Sequence, residues 1–431
     1  MLKLIIKNLW ARRRRNGWLL AELVLVSIIS WVVLDPVIVV THDRNIPLGY
    51  DADRLCLVSL ATLQPSATGY DPAAQDSATL VDSYYHLIRR AADFEGVEMT
   101  TPILGFCYPN SQGNSNSQLI GEGDSIQVPV LQMYFMPHTH FFETYGFNPG
   151  KGMTPAELSD ADYGPKDIVL TENAAEKLLH TKDARGKRCY SFGRNDSTFY
   201  PVRGTIGTIK AYNEWRPVPV AFRPLPSIME YMPDYANILI RLKEGVSMQR
   251  FLHEFRPWMT KELKQGNLFA RTVTSYQAMI DERENYSATP IYRRNLAMAL
   301  FFLINLCLGV AGTFWLQTRI RREEVGVMLS FGATPRRIVR LLMGEGAVLT
   351  FVASAIGFFI YLQYAIKEGL HKGLCWMQGA GDAYWVSDFT QHFLIVSGII
   401  FLILLAVVWA GIYLPARNIS RISPTEALRD E

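Results

Sequence analysis

Four long apolar stretches stand out against an otherwise mixed pattern of hydrophobic and polar positions. They predict transmembrane helices at residues 17–40, 294–318, 346–366 and 392–414. The first contains only Glu22 and Asp35 as ionisable residues, and each of the other three contains an uncharged run of 21 residues or more. Because 21 helical residues rise roughly 31 Å, such a run can cross a hydrocarbon core of about 30 Å. The alternative, burial inside a large soluble protein, is disfavoured by three uncharged runs of this length.

Basic residues flank these stretches unevenly. Residues 1–16 carry six lysines and arginines and no acid, and the segment from 319 to 340 carries six arginines against two acids. Residues 367–391 carry two lysines against three acids. Short loops rich in Lys and Arg stay on the cytoplasmic side. We therefore expect a multi-pass inner-membrane protein with both termini and the connection 319–345 in the cytoplasm, and with residues 41–293 and the loop 367–391 in the periplasm.

The N-terminal segment, residues 1–16, is amphipathic. Apolar side chains recur with helical spacing from Leu2 to Trp10, and Lys3 and Lys7 lie on the opposite face. This predicts a cytoplasmic helix in the lipid headgroup layer, with a frayed terminus as the alternative. The apolar stretch that follows is too long for a cleaved signal peptide and lacks a small-residue cleavage site, so we interpret it as an uncleaved signal anchor.

Residues 41–293 have the composition of a folded domain outside the membrane. They hold 18 of the chain's 22 prolines and 29 of its 40 acidic residues, which sets them apart from the apolar stretches. Strand–helix–strand patterns occur at about residues 50–119 and again at about 235–275. The predicted fold class is therefore a membrane α-helical protein of four transmembrane helices with a large external α+β domain, in which a split βαβ sandwich carries its helices on one sheet face.

The two βαβ units enclose an insertion, at about residues 120–234, that is predicted mainly as β-structure. Alternating residues indicate its strands, among them a short one at 167–170. Thr171 is positioned to cap a brief helix over residues 172–179. Residues 110–116, rich in Ser, Asn and Gly, are predicted to be a mobile loop.

The chain has five cysteines. Cys307 lies inside the second apolar stretch and is interpreted as a packing residue. Cys56, Cys107, Cys189 and Cys375 fall on the predicted external side, where disulfides persist. Four cysteines allow three full connectivities, so a disulfide among Cys56, Cys107 and Cys189 and a set of free buried thiols both remain open.

Motifs for catalysis and cofactor binding are absent from the sequence. No GxxxxGK[ST], GxSxG, HExxH or CxxC pattern occurs. His138 and His140, with Glu143 nearby, are the best metal candidates, but a structural or surface role is favoured and we predict no metal site. The net charge of +3 does not suggest a nucleic-acid partner. We therefore expect no cofactor and no enzymatic activity in this chain.

Polar residues are sparse within the apolar stretches. Asn305, Ser354 and Ser397 are the main ones in the last three stretches, while Glu22 and Asp35 lie near the ends of the first. A path for a polar solute would need more polar groups at mid-membrane depth. We interpret Glu22 and Asp35 as interfacial or helix-packing groups and predict no hydrophilic conduit.

The cytoplasmic connection 319–345 has a helix–turn–helix pattern. Gly332 and Ala333 interrupt one helix, and Thr334 is positioned to cap a second helix with Pro335 in its first turn. Exposed arginines on such an element can dock into a groove of a soluble partner. Taken alone, a generic basic loop explains the pattern nearly as well.

The run RREEVGVMLSFGATPRRIVRLLMGEG, residues 321–346, resembles the stretch after the second span of MacB/FtsX-type ABC transporter permeases. Six positions match that family's pattern: Glu324, Gly326, Gly332, Ala333, Ile338 and Glu345. The tail 415–431 is similar to the family's closing pattern at Pro415, Ala416, Arg417, Pro424, Glu426, Ala427, Leu428 and Arg429. DIVLTENAAEKLL and PVRGTIGTIK resemble the family's periplasmic core domain.

The resemblance implies a dimer of four-span subunits, identical or mixed, with two ATPase subunits beneath. ATP would be bound by that partner ATPase, which is a separate chain because no ATPase domain is fused here. The partner would push on the helix near Thr334 to Arg340, which includes the coupling residues Pro335, Arg336, Arg337 and Ile338. The first two spans would carry the movement to the periplasmic domain. Further partners implied by the resemblance are a periplasmic adaptor and an outer-membrane duct.

Three functions fit this resemblance. The leading one is the permease subunit of a MacB-like exporter of periplasmic or membrane-derived substrates. The alternatives are an FtsX-like transmitter that activates a cell-wall hydrolase or sensor, and a lipoprotein-releasing permease subunit. An integral membrane enzyme is a distant fourth. The cargo and the ATPase do not follow from the sequence.

Overall fold

A computed structural model describes residues 13–111, 113–191, 199–231, 233–320, 322–375, 377 and 384–421. The chain divides into a helical unit, residues 1–41, 290–373 and 382–431, and an α+β unit, residues 42–289 and 374–381. Of the predicted N-terminal amphipathic helix, residues 1–12 lie outside the described part, and residues 13–16 belong to the first long helix.

The described helices and strands are numbered in chain order. The helices are α1 (Arg13–Asn45), α2 (Ser77–Ala92), α3 (Phe141–Tyr145), α4 (Pro155–Asp160), α5 (Glu172–Leu179), α6 (Ile228–Tyr231), α7 (Met248–Glu262), α8 (Tyr276–Tyr286), α9 (Ala288–Ile320), α10 (Arg322–Ser330), α11 (Pro335–Glu368) and α12 (Phe389–Ile419). The strands are β1 (Leu55–Thr62), β2 (Val97–Leu104), β3 (Ser115–Gly121), β4 (Gln127–Phe135), β5 (Ile168–Thr171), β6 (Arg188–Ser191), β7 (Phe199–Ile206), β8 (Val220–Pro224), β9 (Ala236–Leu242), β10 (Lys264–Gln265) and β11 (Leu268–Ser275).

Four of the described helices are long and apolar enough to cross a membrane. The qualifying segments are Gly17–Asn45, Ala288–Thr313, Pro335–Glu368 and Phe389–Ile419. All four are longer than the stretches predicted from hydropathy. Helix α1 continues through Pro36 to Asn45. The predicted boundary between a cytoplasmic helix and the third span is absent, because residues 335–368 form the single helix α11.

Small residues and stacked aromatics bring the long helices together. Trp31 of α1 is fully buried and stacks on Tyr361 of α11 and on Phe393 of α12, at ring distances of 4.7 and 5.1 Å. A side chain at Gly357 would come within 2.7 Å of Cβ of Ser27, so glycine permits this close approach of α11 to α1. Close contact through small residues is how helices associate in lipid, where no hydrophobic effect drives them together.

The α+β unit contains an antiparallel sheet with the strand order β10–β11–β1–β9–β2. Cys56, Val58 and Leu60 of β1 point to one face, where α2 and α7 cover them in a single apolar core. The stripe on α7 predicted from Met248 onward buries Phe251, Phe255 and Met259 there. These features confirm the predicted fold class. The described residues form four long apolar helices and an α+β sandwich whose helices cover one face of the sheet.

The insertion between the two halves of the sheet is a closed barrel with the strand order β3–β4–β8–β5–β7–β6. Its first strand begins at Ser115, earlier than the predicted start near residue 120, because β3 exposes polar side chains that weaken its sequence pattern. Thr171 stands at the N-cap of α5, but its hydroxyl pairs with Val220 instead of capping the helix.

The second face of the sheet packs on the barrel through a core rich in aromatic residues. Leu55 and Leu57 of the sheet and Met133 and Val169 of the barrel belong to this core. Cys375 and Met377, from the connection between α11 and α12, are buried in it as well. The predicted loop 367–391 is therefore more than a link between spans, since its middle is part of the α+β unit.

Within the α+β unit, the structure bears on the loop predicted at 110–116 and on the two alternatives left open for the cysteines. The loop 110–116 is anchored at its start, because Asn110 and Ser111 are buried. The Asn110 backbone N–H donates to the Ala211 carbonyl, and the Asn110 side-chain oxygen accepts from the Asn213 N–H. No disulfide forms, and all five cysteines are free thiols. Cys56, Cys189 and Cys375 lie in three different cores, which separates their sulfur atoms.

Candidate functional site

The turn between α10 and α11, together with the residues on either side of it, is the candidate site and is called the elbow (residues 322–341). Helix α10 ends in a left-handed residue, Gly332, with φ of +83°. The Ala333 N–H donates to the Met328 carbonyl at 2.9 Å and the Gly332 N–H donates to the Leu329 carbonyl at 3.0 Å. This pair of bonds is the Schellman arrangement that ends helices at glycine. The predicted break at Gly332 and Ala333 is therefore where the chain turns.

Helix α11 begins directly after this turn. Thr334 has the extended backbone of an N-cap and Pro335 occupies the first helical position, where its missing N–H costs nothing. The Thr334 hydroxyl makes no capping hydrogen bond. The turn is thus held by backbone bonds and by the fixed φ of Pro335, and the Thr334 side chain is left exposed on the surface.

The elbow is anchored to the helical unit on its inner side. Val325 of α10 and Ile338 and Leu342 of α11 are buried in the core that the long helices share. Gly326 is buried beside Val325, while Glu324 is exposed one residue earlier. The elbow is thus continuous with the close-packed core of the helical unit.

The outer side of the elbow is open and carries both apolar and basic groups. Phe331 is 87% exposed at the tip of the turn, and Val327 is 44% exposed one helical turn before it. Between α10 and α11 lies a cleft of about 670 Å³, lined among others by Val327, Met328, Phe331, Arg337, Ile338 and Leu341. Arg336, Arg337 and Arg340 are exposed along the first turns of α11.

An exposed phenylalanine beside a cleft and several arginines is the composition of a protein-docking surface. Interface centres are enriched in aromatic residues and arginine. Sequence reasoning identified the turn and the arginines but missed Phe331 and the cleft. The signal was present, since Phe331 is a large apolar residue between Ser330 and Gly332 in a turn.

The structure describes only the first part of the tail 415–431, which resembles the family's closing pattern. Pro415, Ala416 and Arg417 form part of the last turns of α12, which ends at Ile419, so this helix is longer than predicted. Pro415 and Ala416 are buried and Arg417 is exposed. Pro424, Glu426, Ala427, Leu428 and Arg429 lie outside the described residues. The structure therefore does not bring the tail and the elbow together as one described site.

The histidines His138 and His140 both lie in a turn with positive φ, after β4, and not on the face of a strand. His140 pairs with Glu143 at 2.9 Å and His138 with Asp162 at 3.5 Å. Among the described residues, no group of three or more His, Cys, Asp or Glu side chains is placed to hold a metal ion.

Two family profiles match the chain. The MacB-like periplasmic core domain matches residues 44–257, most of the α+β unit, and the FtsX-like permease C-terminal domain matches residues 296–424, which include the elbow. The macrolide export ATP-binding/permease proteins MacB 1 of Yersinia pestis bv. Antiqua (strain Antiqua) and of Yersinia pseudotuberculosis serotype I (strain IP32953) are each 22% identical over 299 residues, 68% of this chain and 42% of the relative. The chain thus matches about two fifths of the length of these curated relatives.

Two solved structures with similarity to the chain are of isolated domains. A permease-protein domain from Porphyromonas gingivalis is 16% identical with a TM-score of 0.32, covering 54% of this chain and 99% of that one. The periplasmic region of MacB from Actinobacillus actinomycetemcomitans is 9% identical with a TM-score of 0.29, covering 57% and 98%. The two family profiles, on the α+β unit and on the last three long helices, agree with the motifs in the elbow. The chain belongs to the MacB/FtsX-type permeases of ABC transporters.

Proposed function

We propose that this chain is the membrane subunit of a MacB-like ABC transporter and that a separate ATPase docks on the elbow. ATP-driven movement of that ATPase shifts the elbow, and the long helices pass the shift to the α+β unit, which drives export of periplasmic or membrane-derived substrates. The elbow faces the cytoplasm in this proposal, together with both termini, and the α+β unit lies in the periplasm. The ATPase alone binds ATP.

The observation that carries the proposal is the exposed elbow anchored by a buried core. Phe331, the cleft beside it and Arg337 offer an aromatic and basic docking surface. Val325 and Ile338 connect the same element to the long helices. A surface built in this way can receive a push and pass it on, which a freely hanging basic loop cannot do.

The polar groups inside the helical unit support mechanical transmission over passage of a solute. The Ser27 and Thr350 hydroxyls donate to carbonyls one turn back in their own helices, at 2.7 and 2.9 Å, and Ser27 also lies 3.4 Å from Ser354. These hydroxyls are satisfied within the helix contacts and are buried. They stabilise packing between helices and do not line a polar path among the described residues.

The test is association of the full-length chain with an ATPase. Tagged protein extracted from its own host in mild detergent should co-purify with an ABC ATPase and show ATP hydrolysis. Phe331→Asp and Arg337→Glu should each abolish this association. Arg271→Glu, which reverses an exposed arginine of β11, is the charge-matched control and should leave it unchanged. Unaltered ATPase recovery with both elbow variants would refute the docking site.

The identity of the protein that binds the α+β unit distinguishes an exporter from the alternative functions. Crosslinking in cells from this unit of the full-length chain should capture an adaptor or duct if the chain is part of an exporter. Capture of a cell-wall hydrolase would favour an FtsX-like transmitter. Accumulation of lipoproteins in the inner membrane after depletion of the chain would favour lipoprotein release.

A further inference from the structure

A buried lysine lies at the end of the first long helix. Lys210, in the β7–β8 connection (residues 207–219), has no exposed surface. Its ammonium donates to the carbonyls of Asp43, Arg44 and Ile46, at 2.7, 3.3 and 3.1 Å. All three carbonyls lie at the C-terminal end of α1 or just beyond it. One side chain of the β7–β8 connection thus donates hydrogen bonds to three backbone carbonyls at the end of α1.

This arrangement adds donors to a helix end whose own backbone supplies few, since among the described residues only the Ile46 N–H, at 3.4 Å from the Asp43 carbonyl, is also directed at these three carbonyls. The last carbonyls of an α-helix lack intrahelical donors, and together they carry the negative end of the helix dipole. An ammonium has three donors and a positive charge, so Lys210 satisfies both needs at once. Asp43 lies against the same ammonium and opposes the cost of burying its charge.

Ion pairs fix the same helix end to a second element. Arg44 of α1 lies 3.0 Å from Glu284 of α8, and Glu284 also accepts from the Asn213 amide at 2.7 Å. Asp43 lies 3.5 Å from Arg216, with both side chains buried. The last turn of α1 is therefore tied to the β7–β8 connection and to α8, the helix that leads into α9.

The backbone is joined at the same place. The Lys210 N–H donates to the Leu48 carbonyl at 2.8 Å. Gly49 has φ of +82°, and a side chain there would overlap the carbonyl oxygen of Thr208. Only glycine permits this approach. The chain that follows α1 thus lies close against the β7–β8 connection at Thr208 and Lys210.

We propose that Lys210 is the positioning residue that makes the end of α1 and the barrel move as one body. The proposal rests on the proposed function, since it names the point at which movement of the first span enters the α+β unit. Three hydrogen bonds that converge on one ammonium restrain the helix end against rotation as well as separation. An apolar contact would resist separation but would let the helix end turn.

The test compares Lys210→Met with its wild type in the complex that co-purifies with the full-length chain. Hydrogen–deuterium exchange is measured without nucleotide and with ATP. In the wild type, ATP should change exchange in both units. In Lys210→Met, ATP hydrolysis and ATPase association should stay within about twofold, while the ATP-dependent change in the α+β unit is lost. Residues 43–50 should exchange about tenfold faster even without nucleotide.

Controls separate a coupling role from a merely structural one. Lys210→Arg keeps a cation with several donors and should retain the ATP-dependent change. Lys187→Met removes a lysine whose ammonium donates at 3.3 Å to Leu179 within the barrel unit itself, and should behave as wild type. If Lys210→Met does not fold, Glu284→Gln weakens the same junction from α8 and should reduce the ATP-dependent change.

The two possible failures are distinguishable. If the wild type recruits no ATPase, the proposed function fails and the coupling role of Lys210 fails with it. If the wild type couples ATP to the α+β unit and Lys210→Met does so equally well, the role of Lys210 alone is refuted and the proposed function stands.

Discussion

The carboxylate of Asp35 lies 2.7 Å from Nε2 of His392, with both side chains buried. The pair joins α1 to the start of α12, and Asp35 also accepts from the His371 backbone N–H at 3.2 Å. Asp35 was interpreted from sequence as an interfacial or helix-packing group, and the contact with His392 shows that it packs helices. Removing either side chain leaves the other buried without this hydrogen-bond partner, which is costly.

We therefore expect Asp35→Ala and His392→Ala each to destabilise the protein by roughly 1–3 kcal/mol. Asp35→Asn should cost less, since an amide oxygen still accepts hydrogen bonds from His392 and His371. Thermal unfolding of the full-length chain in detergent measures the difference. Glu368→Gln, an exposed acid at the end of α11, is the control and should be neutral. Equal stability of Asp35→Ala and the control would contradict the helix-packing role.

Gly49 should be the least replaceable of the left-handed glycines in the α+β unit. Gly49→Ala adds strain from its φ of +82° and an overlap with the Thr208 carbonyl oxygen. Gly245 has a similar φ of +79° with open space around it, so Gly245→Ala adds strain alone, about 1–2 kcal/mol. The difference between the melting temperatures of the two variants measures the effect of the overlap with the Thr208 carbonyl oxygen. The account is wrong about the junction if Gly49→Ala is no less stable than Gly245→Ala.

Burial lowers the pKa of Lys210 from 10.5 to about 8, against the attraction of Asp43. In the unfolded chain this side chain keeps its proton to about pH 10.4. Between the two values the unfolded chain binds more protons, so rising pH favours the folded state. The free energy of unfolding of the wild type, minus that of Lys210→Met, should therefore be constant below about pH 8. It should increase from there to about pH 10, by roughly 3 kcal/mol at most.

Unfolding by denaturant at several pH values measures this difference. Lys187→Met is the control, because its difference from wild type should not change over the same range. A wild-type advantage over Lys210→Met that stays constant across the range would mean that Lys210 is solvated in the folded protein.

The cysteines should behave as free, protected thiols. Burial raises the pKa of Cys189 to about 12 and raises that of Cys56 further. Since the thiolate is the reactive form, a maleimide at neutral pH should modify neither until the protein unfolds. Mass spectrometry after native and denatured labelling checks this. Adding a reductant should leave the melting temperature unchanged, and a drop would reveal a disulfide among Cys56, Cys107 and Cys189.

Local patterns carried much of the fold. Continuous apolar runs gave the long helices, and the spacing of Phe251, Phe255 and Met259 gave the buried face of α7. Gly332 marked the elbow because few other residues end a helix in the left-handed conformation. Each of these signals lies within a few residues of the element it specifies.

Features that depend on distant partners could not be read in the same way. Asn110 is polar and sits among loop residues, yet it is buried because Ala211 and Asn213 satisfy it. Lys210 is the last residue of the motif PVRGTIGTIK, which resembles the family's periplasmic core domain. Its contacts with the end of α1 can be seen only in the folded structure. Met377 has the sequence context of an ordinary loop residue, and its burial depends on a core formed by residues distant in the sequence.

The central claim, that a separate ATPase docks on the elbow, is tested most directly by photocrosslinking in living cells. A photoreactive phenylalanine analogue replaces Phe331 at the turn or, as a control, Phe351 of α11, which is 62% exposed within the span. We expect residue 331 to capture an ABC ATPase and residue 351 not to do so. Absence of any ATPase among the products of residue 331, in cells where the chain is stable and in the membrane, would contradict the account.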